Sequence, residues 1–210
     1  MTDIDHPDAP VDGRVARRER NIENVLDIVI QMFAEESLFP TMEQISERSG
    51  LSLRSLYRYF PNPGELLEAA IHRHRELMRD AGHLHRIGQG PLDRRIDDFV
   101  AMRLRLYERA SPVYRAGLHN APLHPPIRDW VARARDDFRN QFELQFNPEL
   151  SSRKAADRQA VLAAGDALSQ FDAIEYLRRH RRFSVSETEA VLRSGLQSLL
   201  EVDGRQVGGG

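Results

Sequence analysis

Two short amphipathic segments separated by a glycine, within residues 41–60, constrain the fold of this chain more than any other part of it. Thr41 and Gln44 form a T-x-x-Q capping box, which is typical of a helix start. Gly50 falls where a short helix needs a left-handed residue to end. Ser52 is then a natural N-cap for a second short helix. The spacing therefore predicts a helix, a tight turn and a second helix, which is the helix-turn-helix arrangement.

Helical periodicity continues on both sides of this motif. Apolar residues recur at helical spacing from about Arg17 to Glu36, and Asn62-Pro63-Gly64-Glu65 is a strong start signal for a fourth helix that we expect to reach about His85. Four further helices are predicted over residues 92–110, 126–146, 154–180 and 184–202. No run of alternating β-branched residues and no internal repeat interrupts this pattern. We therefore predict an all-α fold.

The predicted organisation has two domains between two tails. An N-terminal three-helix, helix-turn-helix domain takes residues 14–62, and a helical C-terminal regulatory and dimerisation domain takes residues 63–203. Residues 1–13 carry prolines and aspartates with little to bury and are predicted to be disordered, and residues 204–210 are predicted to be a flexible tail.

Composition excludes several classes of protein. The chain has no cysteine, which rules out disulfides and thiolate metal sites. It has neither an apolar run long enough to span a membrane nor the apolar core of a signal peptide, so a cytoplasmic protein with no membrane partner is expected. The formal net charge is −2, so binding to DNA would have to use a local surface and not a global basic field.

The second short helix has an unusual predicted outer face. If Leu53, Leu56 and Phe60 point inward, the outside consists of two arginines, two tyrosines and a serine, with no carboxylate between residues 51 and 62. Arginine binds guanine edges or phosphates, and tyrosine and serine hydroxyls suit phosphates. The outward residues are Arg54, Ser55, Tyr57, Arg58 and Tyr59. The face indicates a DNA-reading helix, and the alternative is an ordinary amphipathic helix with tyrosines packed at its flanks.

The stretch Thr41 to Leu67, TMEQISERSGLSLRSLYRYFPNPGELL, resembles the signature of the tetracycline-repressor (TetR) family of transcriptional regulators. The resemblance covers about residues 17–75 and rests on Leu56-Tyr57-x-x-Phe60 followed by a helix start and Leu66-Leu67. It implies a double-stranded DNA operator as partner, with a repressor more common in the family than an activator. It also implies phosphate contacts from Thr41, Tyr57 and Tyr59, and base contacts from Ser52, Arg54 and Ser55.

An arginine cluster precedes the first helix. Arg14, Arg17, Arg18 and Arg20 lie close together after the acidic tail. They are interpreted either as an arm that enters the minor groove or as the solvated start of a helix.

The C-terminal half predicts a ligand pocket between helices. Aromatic stripes with a few inward polar groups suit a small-molecule effector, but they also suit an ordinary helical core. Arg103 falls at the centre of an apolar stripe and needs a partner, which is either an anionic ligand or a protein carboxylate such as Glu175. The predicted ligand-binding residues are Arg103, Tyr107, Trp130, Phe138, Gln141 and Phe171.

The last two helices are predicted to form a homodimer interface. Ala160, Ala164, Ala167, Phe171 and Ile174 share one face of the first, and small residues permit close packing between helices. The resemblance implies a four-helix interface built from two chains. A purely intramolecular core is the alternative.

No catalytic, cofactor or metal site is predicted. The pairs His72/His74 and His83/His85 are each two residues apart, so on a continuous helix neither would chelate a metal. The sequence therefore predicts a ligand-responsive DNA-binding regulator that is not an enzyme. The alternatives are a ligand-independent architectural DNA-binding dimer, and a helical enzyme that keeps a vestigial DNA-binding module but would need a catalytic dyad that we do not find.

Overall fold

The computed structural model of the chain describes residues 13–36 and 38–201, and this part of the chain is helical with no β-strand. The predicted tails therefore lie outside the described residues, except that Gly13 already begins the first helix. The helices are α1 (Gly13–Glu36), α2 (Met42–Ser49), α3 (Leu53–Tyr59), α4 (Pro63–Met78), α5 (Leu92–Asn120), α6 (Pro125–Gln145), α7 (Asn147–Ser151), α8 (Ala155–Ser169), α9 (Phe171–Glu175), a π-helical turn (Tyr176–His180) and α10 (Val185–Leu200). The all-α prediction is confirmed.

The chain divides into two compact units, residues 1–76 and 77–210. The first unit extends beyond the predicted boundary at residue 62, because Leu66 and Ala70 of α4 pack into the core formed with α1, α2 and α3. That core contains the fully buried Val25, Ile45 and Leu56.

Capping signals fix the ends of the short helices in this first unit. The Thr41 hydroxyl accepts from the backbone N–H of Gln44 at 3.3 Å, and the Gln44 side chain accepts from the Thr41 N–H at 2.8 Å, which completes the predicted capping box. Gly50 ends α2 with a φ of 70°, a conformation that side chains disfavour. The fourth helix is shorter than predicted. It ends at Met78, and residues 79–91 form turns and irregular segments.

The second unit consists of α5 packed against α6 and α10, with α8 against α6 and α10. A close approach requires a glycine: a Cβ on Gly165 of α8 would lie 2.0 Å from the Phe142 ring of α6. Ser184 and Glu187 form a second capping box at the start of α10. Among the described residues, no helix combines the length and apolar character needed to cross a lipid bilayer.

The predicted continuous helix over residues 154–180 is wrong. It breaks at Gln170, whose extended backbone (φ −67°, ψ 155°) separates α8 from α9. The residues predicted to share one face therefore separate: Phe171 and Ile174 are buried, whereas Ala160, Ala164 and Ala167 are exposed in the single chain.

Candidate functional site

The turn between α2 and α3 is held by hydrogen bonds from its own residues. The Ser46 hydroxyl donates to the Leu51 carbonyl at 2.6 Å, and the Ser49 hydroxyl accepts from the Leu51 N–H at 3.3 Å. Ser52 caps α3 by accepting from the Ser55 N–H at 3.3 Å. These bonds fix where α3 starts and so fix which of its side chains face outward.

Fewer of the residues predicted to point inward from α3 are buried in the core. Leu56 is fully buried and Phe60 is buried, but Leu53 is 36% exposed. Leu53 is the first residue of the helix, directly after the Ser52 cap. The inward assignment of Leu53 is therefore wrong, and this residue adds an apolar side chain to the outer surface.

Two cations lie on the outer surface of α3 without an acidic partner. Arg54 and Arg58 are exposed, and neither has a carboxylate within ion-pair distance among the residues that the structure describes. Tyr57 is 44% exposed. Ser52 is exposed and Ser55 is half-buried, with their hydroxyls 3.1 Å apart. The surface can donate from guanidinium and hydroxyl groups, which is the chemistry that phosphates and guanine edges require.

Tyr59 differs from the prediction because it is half-buried and packs against the core of the first unit. Its hydroxyl accepts from Asn21 at 3.4 Å and from Arg58 at 3.5 Å. These donors stabilise the phenolate and lower the pKa of Tyr59, Asn21 having the larger effect. The guanidinium groups of Arg58 and Arg18 lie 5.3 and 6.0 Å from the centre of its ring. Tyr59 therefore holds α1 and α3 together and orients Arg58.

The arginine cluster at the start of the chain is helical. Arg17, Arg18 and Arg20 are exposed on the first turns of α1. This exposure agrees with both interpretations, and the minor-groove arm stays a prediction; the side chain of Arg14 lies outside the described residues.

In the second unit, an aromatic cluster surrounds Phe171. The ring of Phe171 lies 4.7 Å from Phe138, 5.3 Å from Tyr114 and 5.4 Å from Tyr107, and Tyr114 in turn contacts Trp130 at 6.3 Å. The aromatic residues predicted for the ligand site are thus brought together. Tyr114 was missed, although it lies seven residues after Tyr107 and so falls on the same helix face.

Tyr114 is tied to a surface ion pair. Its hydroxyl accepts from Arg135 Nε at 3.1 Å, and Arg135 binds Asp172 at 3.1 Å. Burial raises the pKa of Tyr114, and the negative charge of Asp172 raises it further.

Arg103 is fully buried, as the stripe predicts. Its guanidinium lies 4.3 Å from the ring centre of Phe138 and 5.0 Å from that of Phe99, and Nη2 donates to the Phe138 carbonyl at 3.2 Å. Its Nε and Nη1 are buried and have no hydrogen-bond partner within the part of the chain that the structure describes. Burial lowers the pKa of Arg103 to about 9, so the group stays charged at neutral pH.

The suggested pairing of Arg103 with Glu175 is wrong. Glu175 accepts instead from the Tyr107 hydroxyl at 2.5 Å and from Arg115 at 3.3 Å. The break at Gln170 and the π-helical turn direct Glu175 towards these groups.

The two glutamines on the inner face of α6 have different surroundings. Gln145 is buried and accepts from the Gly88 N–H at 3.1 Å while donating to the Arg95 carbonyl at 3.1 Å, which is a structural role. Gln141 donates to the Gly82 carbonyl at 3.0 Å, and its buried Oε1 has no hydrogen-bond partner within residues 13–36 and 38–201.

The predicted absence of a metal site at His83 and His85 assumed a continuous helix, but α4 ends at Met78. His83 and His85 lie in the turns after α4, with ring centres 4.6 Å apart. Within residues 13–36 and 38–201, no three His, Asp or Glu side chains form a group that could hold a metal ion.

Solved structures share this fold. A TetR-family transcriptional regulator from Streptomyces coelicolor superposes with a TM-score of 0.64 at 22% identity, covering 88% of this chain and 80% of that one. A transcriptional regulator from Rhodococcus sp. Rha1 gives a TM-score of 0.65 at 14% identity, over 85% and 95% of the two chains. A Rhodococcus sp. protein assigned to the TetR family gives 0.61 at 16% identity, over 87% and 100%.

Sequence comparison gives no corresponding match: no protein-family model and no curated protein matches the chain. The structural comparisons show that the chain has the fold of TetR-family transcriptional regulators, which confirms the predicted resemblance at the level of the fold.

Proposed function

We propose that the chain is a DNA-binding transcriptional regulator that reads an operator with α3. The observation that carries this proposal is the outer surface of α3, where Arg54 and Arg58 have no acidic partner among the described residues. Because the overall net charge is −2, contact with a polyanion requires such a local concentration of donors. The shared fold supports the same conclusion.

The residues have separate roles in this proposal. Ser52, Arg54 and Ser55 at the start of α3 contact base edges in the major groove. Thr41, Tyr57 and Arg58 contact phosphates and set the orientation of the helix. Tyr59 acts mainly through Arg58, because its hydroxyl is already engaged inside the first unit.

A homodimer is the second part of the proposal. The exposed alanines of α8 (Ala160, Ala163, Ala164 and Ala167) lie on one side of the helix, and Ala190, Ser194 and Ser198 are exposed on α10. Such small residues allow two helix pairs to approach closely. Two copies related by a two-fold axis would present two α3 helices to a two-fold symmetric operator.

The third part is regulation by a small molecule that binds the second unit. Buried polar groups without partners, on Arg103 and Gln141, favour a ligand-responsive protein over a ligand-independent architectural dimer, whose interior would be polar-poor. Ligand binding would change the spacing of the two α3 helices and release DNA. The protein would act as a repressor, the more common role in the family that it resembles, in the cytoplasm. DNA and ligand would then weaken each other's binding reciprocally.

Selection of binding sites from a random duplex library by the full-length protein tests this function. The expected result is a two-fold symmetric consensus with two half-sites. Enrichment of no sequence over the starting library would contradict the proposal.

A further inference from the structure

We propose that the second unit binds an organic anion with a flat apolar body, an aryl carboxylate, through Arg103. This inference rests on the proposed regulator and names the chemical class of its effector. It is carried by a buried cation whose hydrogen-bonding capacity is largely unused.

The described residues supply few hydrogen-bond acceptors to the guanidinium of Arg103. Of its nitrogen atoms, Nη2 donates to one backbone carbonyl, that of Phe138, while Nε and Nη1 are buried without partners. A guanidinium has five N–H donors, and a buried charge is costly unless it is paired and hydrogen-bonded. A carboxylate would supply both the opposite charge and the missing acceptors.

The two protein carboxylates considered as partners of Arg103 bind other groups. Asp166 has a favourable charge effect on Arg103, but one of its oxygens accepts from Gln170 at 2.6 Å and the other lies 3.6 Å from Arg139. Glu175 is bonded to Tyr107 and Arg115. Neither acid forms a hydrogen bond or an ion pair with Arg103 among the described residues.

The aromatic rings around the guanidinium favour a ligand with an aromatic body. Phe99 and Phe138 lie against it, and Phe171 is 4.7 Å from Phe138. Phe99 and Phe171 are almost completely buried. Flat apolar groups pack well among such rings. An anion with an aromatic body therefore complements both the positive charge of Arg103 and the phenylalanine rings around it, whereas an inorganic anion complements only the charge.

Thermal unfolding of the full-length protein, without DNA, tests the proposal with three probes: benzoate, 2-naphthoate and the neutral 2-naphthamide. At least one acid should raise the Tm of the wild-type protein by about 3 °C or more at millimolar concentration, while the amide should not. Because this comparison needs no variant, it does not depend on whether a substituted protein folds. Equal effects of acid and amide, or no effect of either acid, would overturn the proposal.

Substitution then assigns the effect to Arg103. Arg103→Met should unfold at the same temperature as wild type or higher, because replacing an unpaired buried charge by an apolar side chain is not costly. Its affinity for the acid, measured by calorimetry, should fall at least about thirtyfold, as for loss of one member of a buried charge pair. The control is Arg105→Met on the exposed face of the same helix, which should bind as wild type does. Unchanged acid affinity in Arg103→Met would contradict the assignment.

DNA binding separates this inference from the function on which it rests. If the protein binds DNA specifically but binds neither acid, the proposed effector class is wrong and the proposed DNA-binding function is retained. If an acid binds through Arg103 but the protein selects no DNA sequence, the ligand site is retained and the proposed regulatory function is wrong.

Discussion

The Tyr107 hydroxyl donates a hydrogen bond to Oε2 of Glu175 at 2.5 Å, and the same oxygen accepts a hydrogen bond from Arg115 at 3.3 Å. The other oxygen of Glu175 lies 3.6 Å from Arg179. A tyrosine and two arginines therefore satisfy the acid that seemed the natural partner of Arg103. This arrangement links α5 to α9 and leaves Arg103 dependent on other groups.

Loss of the Tyr107 hydroxyl should destabilise the second unit. Tyr107→Phe is expected to lower the free energy of unfolding by about 1–3 kcal/mol, because Glu175 loses a short hydrogen bond in a partly buried position. Chemical denaturation measures the change. Tyr176→Phe, which alters a tyrosine that is 54% exposed, is the control and should have little effect. A Tyr107→Phe protein as stable as the control would show that the bond contributes nothing.

The buried His74 should make the protein less stable in acid. Burial lowers the pKa of His74 to about 4, against 6.5 in the unfolded chain. Below pH 6.5 the unfolded state therefore binds the proton that the folded state does not, and stability falls as pH falls. Between pH 7 and pH 5 this group should account for a loss of about 2 kcal/mol.

Denaturation of His74→Gln at both pH values tests this expectation, since the variant should lack that part of the loss. His72→Gln, two residues earlier on the exposed face of α4, should keep it. Identical pH dependence in wild type and His74→Gln would contradict the assignment.

Local signals in the sequence predicted local structure well. The capping box at Thr41 and the left-handed Gly50 are confirmed, because each depends on residues within one turn. The burial of Arg103 is also confirmed, since its position in the middle of a long stripe fixes its direction.

Features that depend on tertiary packing were not predictable in the same way. Leu53 lies at the first turn of α3, where the helix periodicity does not decide how far the core extends. The partner of Glu175 depends on a helix break at Gln170, which has no proline or glycine to mark it. On α3, the sequence predicted the exposed donors but not the inward packing of Tyr59.

Arg58 should contact a phosphate. Arg58→Ala is expected to weaken operator binding and to reduce the slope of log affinity against log salt by about 1, because one fewer counterion is released. Helicity should not change, since the side chain is exposed. Arg105→Ala removes an exposed arginine from the second unit and serves as the charge-matched control. An unaltered slope in Arg58→Ala would remove this residue from the interface.

The exposed alanine face of α8 should mediate dimerisation. Ala164→Glu places a carboxylate on that face and should convert the dimer to a monomer, because an unpaired charge is costly to bury. Ala132→Glu, on an exposed position of α6, is the control and should remain dimeric. Sedimentation at micromolar concentration distinguishes these states. A wild-type protein that sediments as a monomer would refute the proposed assembly.

Specific DNA binding is the central claim, and a titration of the full-length protein with labelled duplexes tests it most directly. The duplexes carry the DNA that flanks the gene for this chain, or the same bases in shuffled order, at one fixed salt concentration. We predict at least about a thousandfold tighter binding to the flanking DNA, and a much smaller preference in Arg54→Ala, because Arg54 contacts base edges. Equal affinity of the wild-type protein for flanking and shuffled DNA, or a preference that Arg54→Ala retains in full, would contradict this account of α3.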